Sequence, residues 1–313
     1  MRLLVMMPCL NEAATISNVI QAIPRKIRGI EKVDVVVIND GSTDDSEQVA
    51  RQAGAEVISH KVNQGVGRAF QSGLNFALNN NYDMMVNIDS DGQFSPNDIP
   101  KLVNPILEGK AEFVTASRFL SGKVIPHMSS VKLWGNHKMS KLISKLANKS
   151  FTDVSCGFRA YSKETLMRLT LHGQFTYTQE TFLDLAFKNI KMVEIPIDVK
   201  YFPDRQSRVA RSILNYAYNT SLIIFRTYRD YQPLKFFWAI AAVFATPGVL
   251  LLSFLLSWYI AQGSFTPHIW SGFLGGSLMA VSLLFFIVGI FADMLDRIRA
   301  NQEEILYKLR KSS

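Results

Sequence analysis

The sequence predicts an α/β domain on a doubly wound, mainly parallel sheet, followed by two transmembrane helices. Three observations predict it. Short apolar runs alternate with amphipathic stretches over the first 120 or so residues, as strands buried on both faces do between covering helices. The runs end in polar clusters, where sheets of this kind bind ligands. Two later stretches carry no charge over a length that spans a bilayer.

The first strand is "RLLVMM", closed by "PCLNE". The run is broken too soon by Pro8, Asn11 and Glu12 for a signal peptide, so the front domain is expected to stay on the side where it was made. "VDVVVI", "AEVIS", "DMMVNI" and "AEFVTA" are the next four strands, with helical patterns over 12–23, 44–53, 67–79 and 96–107 between them. Ser42-Thr43-Asp44-Asp45 has the form of a helix start, a hydroxyl cap followed by acids in the first turn. After Pro126, "SSVKLWGNHKMSKLISKLANKS" predicts a basic amphipathic helix. A short strand in "DVSCGFRAY", a helix around "QETFLDLAF" and a strand "MVEIPI" follow.

Residues 236–260 and 269–292 are uncharged and read as the two spans. Arg226, Arg229 and Lys235 precede them, Arg297 and Arg299 follow, and the connector "AQGSFTPH" holds no Lys or Arg. The positive-inside bias then puts both ends in the cytoplasm. Gly272 and Gly276 form a small-xxx-small pair suited to close helix approach. The expected organisation is a cytoplasmic catalytic domain over 1–211, a juxtamembrane interfacial helix over 212–233, the spans over 234–292 and an amphipathic tail over 293–313, a candidate for self-association. A helix packed on the front domain is the other reading of 216–231.

Net charge is +8. Six basic and four acidic residues lie from Leu234 onward, which leaves 28 basic against 22 acidic in front. That surplus fits an anionic membrane surface or phosphorylated substrates. It also fits nucleic acid, but acids at the strand ends argue against that partner. Cys9 and Cys156 are far apart and read as packing residues in a reducing compartment.

No G-x-G-x-x-G follows the first strand, which argues against NAD or FAD. Asn11 and Glu12 suit either a helix cap or a nucleoside. Asp40-Gly41 suits either an Asx turn or a carboxylate that accepts from a base or ribose. In "NQGVGRAF" backbone amides ahead of a helix could meet an anion, with Arg68 nearby. The sharpest feature is "NIDSDGQ". Alternation aims Asp89 and Asp91 the same way, and two hard carboxylates with Gln93 suit Mg²⁺ or Mn²⁺ carrying a diphosphate.

Taken in order, "PCLNE", "VVINDGSTDDS", "NQGVGRAF", "NIDSDGQ", "ASRF" and "SCGFRAYS" resemble the family 2 glycosyltransferases of GT-A fold, and within them the dolichyl/polyprenyl-phosphate sugar transferases. The resemblance covers about the first 230 residues. It implies a nucleotide-sugar donor, a polyprenyl or dolichyl phosphate acceptor and an inverting, metal-dependent transfer. By that resemblance Pro8, Asn11, Glu12, Asp40, Asp89 and Ser90 serve the nucleotide, and Asp89, Asp91 and Gln93 the metal. Arg118 and Arg159 would lie with Asp91 at the reacting groups, and Gln179 and Glu180 at the sugar. Arg205, Ser207, Arg208 and Arg211 would serve the acceptor phosphate, although "DRQSRVARSI" lacks the glycine that relatives often carry there. An ionised phosphate needs little help from a general base, and His60, His127, His137 and His172 read as surface or core. A processive synthase would need a Gln-x-x-Arg-Trp motif and more spans. A non-enzymatic nucleotide-binding module would need Asp40 but not the acidic pair.

Overall fold

The computed structural model of the chain describes residues 1–122, 128, 130–171, 177–200 and 213–312, with only the backbone of 132 and 213–217. Seven strands make one sheet: β1 (Arg2–Cys9), β2 (Lys32–Asn39), β3 (Glu56–Ser59), β4 (Met84–Asn87), β5 (Phe113–Ser117), β6 (Arg159–Ser162) and β7 (Met192–Pro196). Their order is β3-β2-β1-β4-β6-β5-β7. All pairs are parallel except those of β6, which runs antiparallel to β4 and β5. The expected strand in "DVSCGFRAY" begins only at Arg159, because residues 154–158 form a loop gripped by side chains.

Helices α1 (Ile16–Gln21), α2 (Ser46–Gln52), α3 (Val66–Asn79), α4 (Ile99–Leu107), α5 (Ser130–Ala147) and α7 (Thr178–Phe187) fall on the expected patterns. Helix α1 is shorter than its pattern, since residues 13–15 are a turn. A short helix α6 (Lys163–Arg168) had not been expected; Ser162 caps it by accepting from Thr165 N.

Strand β1 shows why its sequence is apolar throughout. Leu3, Val5 and Met7 enter one buried cluster with Ile16, Ile20 and Leu102. Leu4 and Met6 enter another with Phe70, Leu74 and Phe182. Successive side chains point to opposite faces, and each fully buried Leu or Met adds roughly 1.5–3 kcal/mol. The eight-residue register from Arg2↔Lys32 to Cys9↔Asn39 ends β1 and β2 level, and Met6↔Asn87 brings the end of β4 beside them.

The chain divides into two compact units. The first is Met1–Ile224 with Tyr307–Ser313, and it contains the sheet. Helix α8 (Ile213–Tyr231) straddles the division, with Ile224 buried in the second core cluster. The second unit, Phe225–Leu306, is made largely of α9 (Pro233–Gln262) and most of α10 (Ile269–Ser312). Both helices are long and apolar enough to cross a membrane. Of the expected glycine pair, Gly272 stands at the approach, where a Cβ would lie 2.7 Å from Leu255 on α9, and Gly276 is corrected. A Cβ on Gly276 would meet nothing, whereas one on Gly275 would lie 3.1 Å from Gly248 O. Helices α9 and α10 approach at Gly248 and Gly275, and Ser282 Oγ adds a bond to Ala241 O at 2.9 Å.

Candidate active site

The ends of β1, β2 and β4 are stitched together by side chains. Ser90 Oγ donates to Pro8 O at 2.8 Å, and Thr15 Oγ1 donates to Ser90 O at 3.0 Å. Glu12 N donates to Ser46 Oγ at 2.7 Å, and Asn11 N to Ser42 Oγ at 2.9 Å. Asn11 takes a left-handed φ of 53°, which Asn tolerates, and its Oδ1 accepts from Thr43 N at 2.7 Å. The hydroxyls of residues 42–46 therefore hold the exit of β1. The expected hydroxyl cap of α2 is replaced: Asp44 Oδ1 accepts from Ser46 N at 3.0 Å.

Asp40 is 4 % exposed. Its Oδ1 accepts from Gln64 N at 2.9 Å and meets His60 Nδ1 at 2.7 Å, while Oδ2 accepts from Gly65 N at 2.8 Å. The anion met by two amides of "NQGVGRAF", Gln64 N and Gly65 N, is Asp40 itself. Among the described residues, Oδ2 keeps one acceptor position. Gly41 lets this loop cross: its φ is 75°, and a Cβ would sit 2.6 Å from Asn63 N. His60 belongs to this assembly and was missed in the sequence. The available signal was its place directly after β3, at the same end of the sheet as the acids.

Asp89 follows β4, half-buried, with its carboxylate against the Cα of Gly157. Burial and the Asp91 carboxylate push the Asp89 carboxyl up to about 7, against the pull of Arg118 and Arg159. Asp91 Oδ1 accepts from Gln93 N at 2.9 Å across Gly92, and Gln93 O accepts from Lys200 N at 2.9 Å. Two carboxylates at one strand end, the first against the backbone of Gly157, suit a cation. No third His, Cys, Asp or Glu joins them among the described residues. That donor set fits Mg²⁺ or Mn²⁺, which keep positions for water and substrate phosphates.

Arg118 sits at the end of β5 and is 13 % exposed. It binds Asp153 through Nε–Oδ2 at 2.6 Å and Nη2–Oδ1 at 2.8 Å, and Ser155 Oγ at 2.6 Å. Burial alone would raise the Asp153 carboxyl, but the Arg118 charge and hydrogen bonds hold it below the usual carboxylate range. Arg159 is fully buried. It donates to Cys156 O at 2.8 Å, Thr178 O at 3.0 Å and Val154 O at 3.3 Å, with its guanidinium carbon 4.7 Å from the Phe182 ring centre. These bonds tie the 154–158 loop to α7. Gln179 and Glu180, both buried, lie in the first turn of the same helix α7. Burial pushes the Cys156 thiol up to about 12 and raises Cys9 as well, as suits packing residues. His137 is exposed. Arg205, Ser207, Arg208, Arg211, His127 and His172 lie outside the described residues.

Comparison with known proteins gives three kinds of match. The family model described as "Glycosyl transferase family 2" matches residues 4–170. The UDP-N-acetylglucosamine–dolichyl-phosphate N-acetylglucosaminyltransferase of Methanococcus voltae is 29 % identical over 62 % of this chain and 84 % of its own length. The undecaprenyl-phosphate mannosyltransferase of Micrococcus luteus is 27 % identical over 63 % of this chain and 83 % of its own. Among solved structures, glucosyl-3-phosphoglycerate synthase from Mycobacterium tuberculosis, in complex with Mn²⁺, UDP and glucosyl-3-phosphoglycerate, superposes with a TM-score of 0.56 at 23 % identity. That match covers 73 % of this chain and 79 % of the other.

Proposed function

The chain belongs to glycosyl transferase family 2, and from that membership we propose that it moves a sugar from a nucleotide-sugar to a polyprenyl or dolichyl phosphate at the cytoplasmic membrane face, with inversion. The carrying observation is that Asp89 and Asp91 directly follow β4 at the same end of the sheet as Asp40 and Glu12. Relatives named for transfer to dolichyl and undecaprenyl phosphate support the acceptor, and the Mn²⁺–UDP complex of the structural neighbour supports the metal. The two long apolar helices support membrane anchoring.

Asp89 and Asp91 would hold Mg²⁺ or Mn²⁺. When bound, the ion would neutralise charge on the departing nucleoside diphosphate. Asp40 offers its remaining acceptor position to a base N–H, beside a wall made by Pro8, Asn11, Glu12 and Ser90. Arg118, locked by Asp153, places a fixed positive charge in the field of Asp89. Arg159 positions the 154–158 loop and, through Thr178 O, the first turn that carries Gln179 and Glu180. Arg205, Ser207, Arg208 and Arg211 are the candidates for the acceptor phosphate, whose oxygen is already ionised near pH 7 because its second pKa is about 6. Binding both substrates in line supplies the remainder of the acceleration.

The test is to incubate membranes containing the protein with a panel of labelled sugar nucleotides and polyprenyl phosphate, then extract the lipid. UDP-glucose and GDP-mannose head the panel. Label in the lipid fraction that survives mild base is expected; label in soluble products only would remove the lipid acceptor.

A further inference from the structure

His60 stands just past β3 with every polar atom of the residue's N–H and ring committed. Its N–H donates to Asn39 O at 2.8 Å, Nδ1 lies 2.7 Å from Asp40 Oδ1, and Nε2 lies 2.9 Å from Ser72 Oγ on α3. The ring is only 11 % exposed. An ionised carboxylate accepts and never donates, so Nδ1 carries a proton. In the neutral ring Nε2 is then the acceptor, and the Ser72 hydroxyl donates to it.

The order serine, histidine, aspartate matches a nucleophile relay, but Ser72 lies inside the continuous helix Val66–Asn79. The backbone N–H groups around it serve the helix's own ladder, so no oxyanion donors stand beside Oγ. What the chain of bonds does is hold Asp40. Of the three donors on that carboxylate, two come from the loop ahead of α3, Gln64 N and Gly65 N, and one from the imidazole. The imidazole is braced on two elements, β2 through Asn39 O and α3 through Ser72. It therefore fixes the direction of the acceptor position left on Oδ2.

We propose that His60 is a positioning residue for the donor: braced by Ser72, it aims the Asp40 carboxylate and seats the Asn63–Gly65 loop so that the two receive the nucleotide's base. The proposal deepens the nucleotide-sugar reading and rests on it. His60 and Ser72 touch neither the acidic pair nor the reacting groups, so their loss acts on nucleotide binding and leaves turnover at saturation nearly intact.

The test uses the full chain in lipid nanodiscs, with titrations of UDP and GDP in the presence of Mn²⁺, and donor KM and kcat with the sugar nucleotide that the panel selects. A hydrogen bond to a charged group is worth roughly 1.5–3 kcal/mol, so His60→Phe is expected to weaken nucleotide binding about tenfold or more. The value of kcat should stay within about threefold, since no interaction special to the transition state is removed. His60→Asn places an amide N–H where Nδ1 was and is expected to recover most of the affinity. His60→Gln places it where Nε2 was and is not. Ser72→Ala should cost a few-fold, on the scale of a neutral hydrogen bond of about 1 kcal/mol. Unchanged nucleotide affinity in His60→Phe overturns the proposal, and so does a loss confined to kcat. If His60→Phe does not fold, equal affinities for the Asn and Gln variants overturn it instead. A wild-type protein that binds no nucleoside diphosphate at all removes the donor reading, and this inference with it.

Discussion

A methyl group placed on Gly157 would lie 3.0 Å from Asp89 Oδ1 and 3.1 Å from Oδ2. The glycine is there because the carboxylate fills the space a side chain would take. Asn87 Nδ2 holds the Gly157 carbonyl at 2.7 Å, so the loop cannot easily retreat. Gly157→Ala must therefore move Asp89. A shift of that kind, a few tenths of an ångström, is expected to lower kcat by about tenfold, less than the roughly 10²-fold that a 1 Å misplacement can cost. The cost to stability should stay near about 1–3 kcal/mol, the range for overpacking. Steady-state rates and a denaturant midpoint on the same preparation check both; full activity would show that Asp89 need not sit where it does.

Metal dependence follows from the same carboxylates. Chelation of divalent ions is expected to abolish sugar transfer, and Mn²⁺ or Mg²⁺ to restore it. Asp91→Asn should reduce transfer about 10³-fold or more, since one of the two carboxylates that the described residues bring to the site is lost. Transfer at the full rate in excess chelator would remove the metal from the reaction.

The architecture was legible from the sequence because its signals are local. Alternating apolar runs gave the strands, and uninterrupted apolar length gave α9 and α10. What was not legible depended on pairing between distant segments. Residues 153–158 look strand-like, yet Arg159 claims the carbonyls of Val154 and Cys156 for itself and keeps them out of the ladder. The helix-start pattern at residues 42–45 supplies its Ser42 hydroxyl not to α2 but to Asn11, and Ser46 at the head of α2 gives its own to Glu12, more than 30 positions away in the chain. His60 carries no motif of its own, and its meaning appears only when β3 is placed beside β2. In the same way the sequence could suggest that Arg159 bears a needed charge but not that the charge is buried.

That burial makes Arg159 a stability determinant as well. Three carbonyl oxygens depend on its guanidinium, and no carboxylate bonds to it among the described residues. Arg159→Met keeps the volume but leaves those carbonyls unpaired, at about 1–3 kcal/mol for each buried group left unsatisfied. The variant is expected to melt well below the wild type and to lose activity together with stability. Arg159→Lys should recover little, because one ammonium cannot reach three carbonyls in a planar fork. A melting temperature unchanged in the Met variant would show that the loop holds without it.

The Arg118–Asp153 pair gives a pH dependence with a defined sign. Asp153 is fully buried and its carboxyl is held below the usual value, so its folded pKa lies under its unfolded one. The pair's contribution is then fully present above about pH 4–5 and is lost as pH falls through the folded value. Denaturant midpoints for the wild type should drop as pH falls below about 4, on top of any general acid effect. In Asp153→Asn that part of the slope should vanish, and the unfolding free energy near pH 7 should already be lower by about 3–5 kcal/mol, because Arg118 loses its buried partner. Parallel curves for the two proteins would show that the pair contributes nothing that titrates.

The last turns of α10 offer a test at the far end of the chain. Residues Tyr307–Ser313 belong to the sheet-containing unit. Arg310 Nη1 donates to Met167 O at 2.8 Å and to Leu169 O at 3.0 Å, the open carbonyls at the end of α6, and Tyr307 Oη donates to Glu164 Oε2 at 3.0 Å. A cation at a helix C-terminus is favourable both as a hydrogen-bond donor and against the helix dipole. Tyr307 and Arg310 of the tail are thus bonded within the chain. Arg310→Ala is expected to cost about 1–2 kcal/mol, the scale of a partly exposed charged hydrogen bond. Tyr307→Phe should cost less, near about 1 kcal/mol, because it removes one bond and keeps the ring over Arg168. Neither change should alter the oligomeric state measured by light scattering in detergent. A shift in particle mass with no change in stability would mean that the tail works between chains.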